Sequence, residues 1–202
     1  MTTRRRYRGE SAERRRARRH AALLDAALEI VGTSGVEKAT IGGLCALAGL
    51  NSRYFYEHFT GRADVLAALV DRLVREVFTA GDAAFAENGG DPRAAVAAAV
   101  GVLLDDPRKA RAIAIARAAP GDTGGRATIG NLLGGLGVSF RAANCGAGVT
   151  GVRLAFCVDG AIGALTSWSH GTLPLSREQL IDQVAEMIER AGCLSLKPPP
   201  CR

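Results

Sequence analysis

Between Asn51 and Arg62 the chain reads NSRYFYEHFTGR, with hydrogen-bonding side chains interleaved among apolar ones. Ser52, Arg53, Tyr54, Tyr56 and His58 carry donors or acceptors, whereas Phe55 and Phe59 stand about one helical turn apart and suit a buried face. Tyr54, Phe55 and Tyr56 are consecutive in a chain that is only 5% aromatic, which sets this stretch apart. The planar guanidinium of Arg53 can donate twice to the major-groove edge of guanine, a contact worth about 1–3 kcal/mol of discrimination. The same fork could instead rest on a phosphate or in solvent. A second source of positive charge lies upstream. Residues 1–19 hold nine arginines against Glu10 and Glu13, a local +7; the whole chain carries +6, so the remainder is near −1. Charge gathered at one end attracts a polyanion and makes its binding salt-dependent. The Arg14 to Arg19 cluster would sit on the first turns of a helix, able to face phosphate, with Arg14 and Arg18 as the site candidates, and a solvated tail is the alternative for Arg4 to Arg8.

Other chemistries find little support. His20, His58 and His170 are far apart in sequence, and no metal-ligand or nucleotide-loop motif is present, so neither a catalytic residue, a metal nor a cofactor is expected. The cysteines Cys45, Cys145, Cys157, Cys193 and Cys201 are odd in number and widely spaced, which suggests neither a disulfide framework nor a zinc site. No apolar run approaches the roughly 20 residues of a membrane span. The arginines at the amino terminus lack the apolar core of a signal peptide. A cytoplasmic protein without a membrane partner is the expectation.

The elements that must position the Asn51–Arg62 side chains can be read from spacing. Ile41, Leu44, Cys45 and Ala48 follow one helical face, with Thr40 where an N-cap is wanted. Gly49 suits a left-handed turn, and Asn51 caps a second run from Ser52 to His58. Two short helices joined by a tight glycine turn have the form of a helix-turn-helix, whose second helix lies in the DNA major groove.

This stretch resembles the DNA-binding motif of the TetR family of bacterial transcriptional regulators. The Thr-capped first helix is met by Thr40, Leu44 and Cys45, the turn by Ala48, Gly49, Leu50 and Asn51, and the closing pattern by Phe55, Tyr56, Glu57, His58, Phe59 and Arg62. The resemblance covers about the first third of the chain with its flanking helices. It implies phosphate contacts by Thr40, Tyr56 and Arg62, which fix register without reading sequence. With Asn51, Ser52, Arg53, Tyr54, His58, Arg14 and Arg18 they make the expected DNA-facing set. The family often has small residues where Arg53 and Tyr54 stand, so base contacts cannot be transferred. His58 could stabilise the end of the second helix rather than touch DNA.

The rest of the chain reads as all-α. Residues 1–10 are expected to be a disordered basic arm and 11–61 the DNA-binding head. Within the head, a helix capped by Ser11 runs to about Val31 and ends at Gly32 and Gly35. Residues 62–194 are expected to form a helical regulatory and dimerisation body, and 195–202 a disordered tail. Arg62 opens a helix that buries Val65, Leu66, Leu69, Val70, Leu73 and Val77, and 80–91 is expected to be a loop. Asp91-Pro92 and Asp106-Pro107 predict helices over 92–104 and 107–119. A glycine-rich helix is expected near 125–143 and a buried one over 150–170. A last helix follows Ser176 and Gln179, with Leu180, Ile181, Val184, Met187, Ile188 and Ala191 on one stripe. Phe156 and Trp168 could line a ligand cavity or simply fill the core. Asp159 could polarise such a cavity or pair with Arg153. The resemblance implies a homodimer formed through the last two helices, double-stranded DNA as partner and a small-molecule effector, most often in a repressor. A DNA-binding regulator without an effector, or an enzyme or carrier on a similar body, are the alternatives.

Overall fold

The computed structural model describes residues 11–118, 156–157, 160–168 and 171–190, and every regular element among them is helical. We label them α1 (Ala12–Ser34), α2 (Ile41–Ala48), α3 (Ser52–Tyr56), α4 (Arg62–Glu87), α5 (Pro92–Leu104), α6 (Pro107–Ala118), α7 (160–168) and α8 (Arg177–Arg190), with a single 3-10 turn at Val36–Lys38. Most of these helices begin where a side chain can satisfy an orphan backbone N–H. Ser11 Oγ accepts from the Arg14 amide at 3.1 Å, and Asp91 Oδ1 accepts from the Arg93 amide at 2.9 Å with Pro92 in the first turn. At α8 the bonding is reciprocal. The Gln179 amide donates to Ser176 Oγ at 3.1 Å while the Ser176 amide donates to Gln179 Oε1 at 2.8 Å, a complete capping box.

The apolar faces of these helices converge on one core. Leu23, Leu24, Ala27 and Val31 of α1, Leu44 and Cys45 of α2, Phe55 and Phe59, and Val65, Leu69 and Leu73 of α4 join a continuous buried cluster. It runs on through Val96, Val100 and Leu103 of α5, Ile113 of α6, Leu165 of α7 and Leu180 and Val184 of α8. The principal packings are α4 on α5 and α1 on α6.

Three expectations are corrected. First, α1 continues to Ser34 and stops at Gly35 (φ 88°), so Gly32 lies inside the helix. It serves as a contact point: a Cβ there would sit 2.5 Å from Arg108 Cβ, and the Arg111 guanidinium donates to its carbonyl at 3.1 Å. Second, residues 80–87 are helical and extend α4 to Glu87. Gly81 is buried, and the position of a Cβ there is 3.3 Å from the carbonyl of Ala95. The glycine that suggests a loop instead lets α5 approach the helix. Third, regular helix ends at Tyr56 rather than His58, the next two residues forming a turn. On the apolar stripe of α8, Leu180, Ile181 and Val184 are buried and Met187 is 65% exposed. The helix expected near 125–143, Asp159 and both terminal segments lie outside the described residues.

Ion pairs stitch α1 to α4 and α6. Arg72 reaches Asp25 at 2.7 Å, Lys109 reaches Glu76 at 2.7 Å, and Arg108 pairs with both Glu29 and Asp106. The hydrogen bonds from Arg108 hold the Asp106 carboxyl below the usual range. Exposed pairs contribute only about 0–1 kcal/mol each, so this seam fixes the angle between helices more than it stabilises them.

Candidate nucleic-acid interface

The exposed face of α3 is built from its caps inward. Thr40 Oγ1 accepts from the Gly43 amide at 3.1 Å and opens α2. Gly49 takes the left-handed conformation (φ 65°, ψ 32°) that turns the chain, and its amide donates back to Ala46. Asn51 Oδ1 then accepts from the Tyr54 amide at 3.1 Å to start α3. Phe55 is fully buried and anchors the helix, with Phe59 beneath it at a ring separation of 5.7 Å. That anchoring leaves Ser52, Arg53 and Tyr56 outward, Arg53 with 86% of its side chain exposed and Tyr56 60% exposed. A tyrosine and an arginine held in water beside a buried anchor can meet phosphate and base edges without rearrangement of the core.

The arginines of α1 divide into two groups. Counting back four residues from the buried Leu23 and Leu24 gives Arg19 and His20, and four more from His20 gives Arg16, so these three share one stripe, with Arg19 and His20 half-buried and Arg16 exposed. Arg16 and Arg19 reach across to Glu57: Arg16 Nη2 donates to its carbonyl at 3.2 Å and Arg19 Nη2 to its Oε2 at 3.3 Å. Arg14 and Arg18 lie exposed in the first turns. Cations at a helix N-terminus oppose the macrodipole, typically by about 0.3–1 kcal/mol each.

His58 turns inward. Its ring meets His20 edge-on at 5.5 Å, and His20 stacks on Phe59 at 5.1 Å. Burial first, then the charges of Arg72 and Arg16, lowers the His20 pKa. For His58 burial again leads, followed by His20, Arg16 and Arg19, with Glu57 opposing. Arg62 stands exposed at the start of α4, 3.9 Å from Glu37. The structure thus gathers Asn51, Ser52, Arg53, Tyr54, Tyr56 and His58 in and around α3, while Thr40, Arg62, Arg14 and Arg18 sit on separate helix starts. Sequence reasoning placed Arg16 and Arg19 in a phosphate-facing cluster rather than on Glu57, and gave His20 and Glu57 no part in this face. Only the α1 spacing carried a signal for Arg16, Arg19 and His20.

In the body, Trp168 is half-buried against the core and its indole N–H donates to the Leu175 carbonyl at 2.7 Å. Phe156 is 77% exposed, and neither lines the two described cavities. One, of about 760 Å3, runs along α4 beside Arg72, Glu76, Val102, Asp106 and Lys109. The other, of about 270 Å3, lies between α1 and α4 beside His20, Asp71, Arg72 and Arg75. Among the described residues no cluster of His, Cys, Asp or Glu could hold a metal, and no helix is long and apolar enough to cross a membrane.

Residues 23–69, which hold most of α1, all of α2 and α3 and the start of α4, match the family model of bacterial regulatory proteins, tetR family. The head is a TetR-family domain. Solved structures extend the likeness beyond the TetR head. A putative TetR family transcription regulator from Shewanella sp. PV-4 matches with a TM-score of 0.68 at 15% identity, covering 86% of this chain and 97% of that one. A putative TetR-family regulator from Rhodococcus sp. gives 0.64 at 18% identity, covering 89% and 100%. The fatty acid degradation regulator FadR from Bacillus halodurans gives 0.59 at 16% identity, covering 84% and 97%. At such identities the likeness establishes a common fold. No curated protein matches the chain.

Proposed function

We propose that this protein is a sequence-specific DNA-binding transcriptional regulator, acting in the cytoplasm as a homodimer, released from its operator by a small molecule and, as the family resemblance implies, a repressor. The observation that carries the reading is the helix-turn-helix itself. Its second helix is anchored by Phe55 and presents Arg53 and Tyr56 to solvent, next to an α1 whose first turns expose Arg14 and Arg18. Arg53 is the candidate base reader. Tyr56, Thr40 and Arg62 are the candidate phosphate contacts, and Asn51, Ser52 and Tyr54 flank them. His58 supports the face from behind.

A two-fold dimer would place two such helices in successive major grooves of a near-palindromic site. The exposed Phe156 and Met187, on the segments expected to pair with a second copy, support that assembly. The continuous core from α3 through α4 to α5 offers a physical route by which a ligand in the body biases the spacing of the heads. Of the residues expected to meet an effector, Asp159 and Trp168 remain candidates, while the exposed Phe156 is assigned to the contact with a second copy. The reading is tested by selection of duplexes from a randomised pool, followed by measurement of the mass of the bound species. A two-fold symmetric consensus bound by two chains is expected; a chain that enriches no sequence overturns it.

A further inference from the structure

α3 spans only Ser52–Tyr56, and Phe55 is its one buried side chain. A single turn of helix with a single anchor has little rigidity of its own, so its outward face must be oriented from outside. The orienting groups come from α1. The Arg19 guanidinium lies over the Tyr54 ring, 4.5 Å from its centre, and also donates to Glu57 Oε2 at 3.3 Å. It therefore grips both flanks of α3 at once. Arg16 holds the Glu57 carbonyl at 3.2 Å. The other carboxylate oxygen, Oε1, stands 3.8 Å from Arg53 Nε. Arg19 is the more shielded of the two cations, its side chain 21% exposed against 86% for Arg53. The Arg19 pair is thus the more durable one, and the Arg53 pair is open to exchange.

We propose that Arg19 and Glu57 are positioning residues that set the sequence selectivity of α3, a proposal that rests on α3 being the DNA-facing helix. Arg19 fixes Tyr54 and Glu57 so that the face has one orientation. Glu57 holds Arg53 away from phosphates until a base edge takes its place. A carboxylate at this position repels every duplex alike, whereas the compensation Arg53 obtains from a base depends on sequence. Glu57 therefore lowers affinity for random DNA more than for the preferred site, which is selectivity by repulsion.

The test uses the full chain, a duplex enriched from a randomised pool by the wild type, and a scrambled duplex of the same composition. Glu57→Gln keeps the shape and removes the charge. Its expected effects are tighter binding to scrambled DNA by roughly 3–10-fold, a fall of about fivefold in the selected-to-scrambled ratio, and a salt slope steeper by about one, with an unchanged thermal midpoint. Arg19→Gln should lower the ratio in the wild-type background and add little in the Glu57→Gln background. Arg19→Lys, which keeps the charge and loses the planar fork, should lower the ratio without changing the salt slope, and it carries the test if Glu57→Gln fails to fold. An unchanged ratio in Glu57→Gln, or an Arg19→Gln effect equal in both backgrounds, overturns the proposal. A wild type that enriches no duplex instead overturns the DNA reading on which it stands.

Discussion

Arg53 and Tyr56 divide the work expected of α3, and their substitutions should separate. Arg53→Ala removes a fork that can read guanine, so it should reduce discrimination by about 1–3 kcal/mol while leaving binding to random DNA nearly intact. Tyr56→Phe removes the hydroxyl proposed to contact phosphate and should weaken selected and random duplexes by the same factor. Equal losses on both duplexes for Arg53→Ala, measured by fluorescence anisotropy, would remove its base-reading role. His58 shows why residue type alone misleads: a histidine on the recognition stretch suggests a DNA contact, yet its ring packs on His20 near Phe59. The caps Thr40 and Asn51 and the turn Gly49 were legible because local backbone chemistry dictates them. Glu57 was not, since its partners are supplied by a helix far away in sequence. The His20 and His58 pKa values are both lowered in the folded chain. The unfolded state therefore binds more protons once pH falls through the ordinary imidazole value near 6.5. Stability should be full above that pH and decline below it, levelling off below the folded pKa values. Urea midpoints at pH 7.5 and 5.5 check this, and His58→Gln should flatten the difference.

At the scale of helices, starts were easier to read than ends. Asp91-Pro92, Asp106-Pro107 and the Ser176/Gln179 pair announce α5, α6 and α8 through side chains next to the helix they open. The ends of α1 and α4 misled because Gly32 and Gly81 resemble stop signals. Gly32 is instead a place where a neighbouring helix comes too close for a side chain, and Gly81 one where a Cβ would press on the Ala95 carbonyl. Tertiary packing decides such a position, and one-dimensional spacing does not contain it. Gly32→Ala should therefore force α6 away from α1 and destabilise the fold by about 1–3 kcal/mol, although alanine is the better helix former. Chemical denaturation measures this directly. A neutral or stabilising effect would mean that the α1–α6 contact yields easily.

Across the whole molecule, the arginines of α1, α3 and the body are joined by one core and one ion-pair seam. The core is continuous from Leu23 to Val184, and Glu29, Arg108, Arg72, Glu76 and Lys109 tie α1 and α4 to α6. The all-α class was legible from periodicity. The angle at which α1 meets α6 was not, because it follows from a glycine contact and an ion-pair seam that only the folded chain assembles. The account's central claim is that α3 enters the major groove in two copies. Guanine N7 methylation interference tests it most directly, since N7 lies on the major-groove edge that an arginine fork would use. The prediction is interference at guanines in two half-sites about one helical turn apart, lost at one position per half-site in Arg53→Ala. Binding that is indifferent to N7 methylation at every position would contradict it.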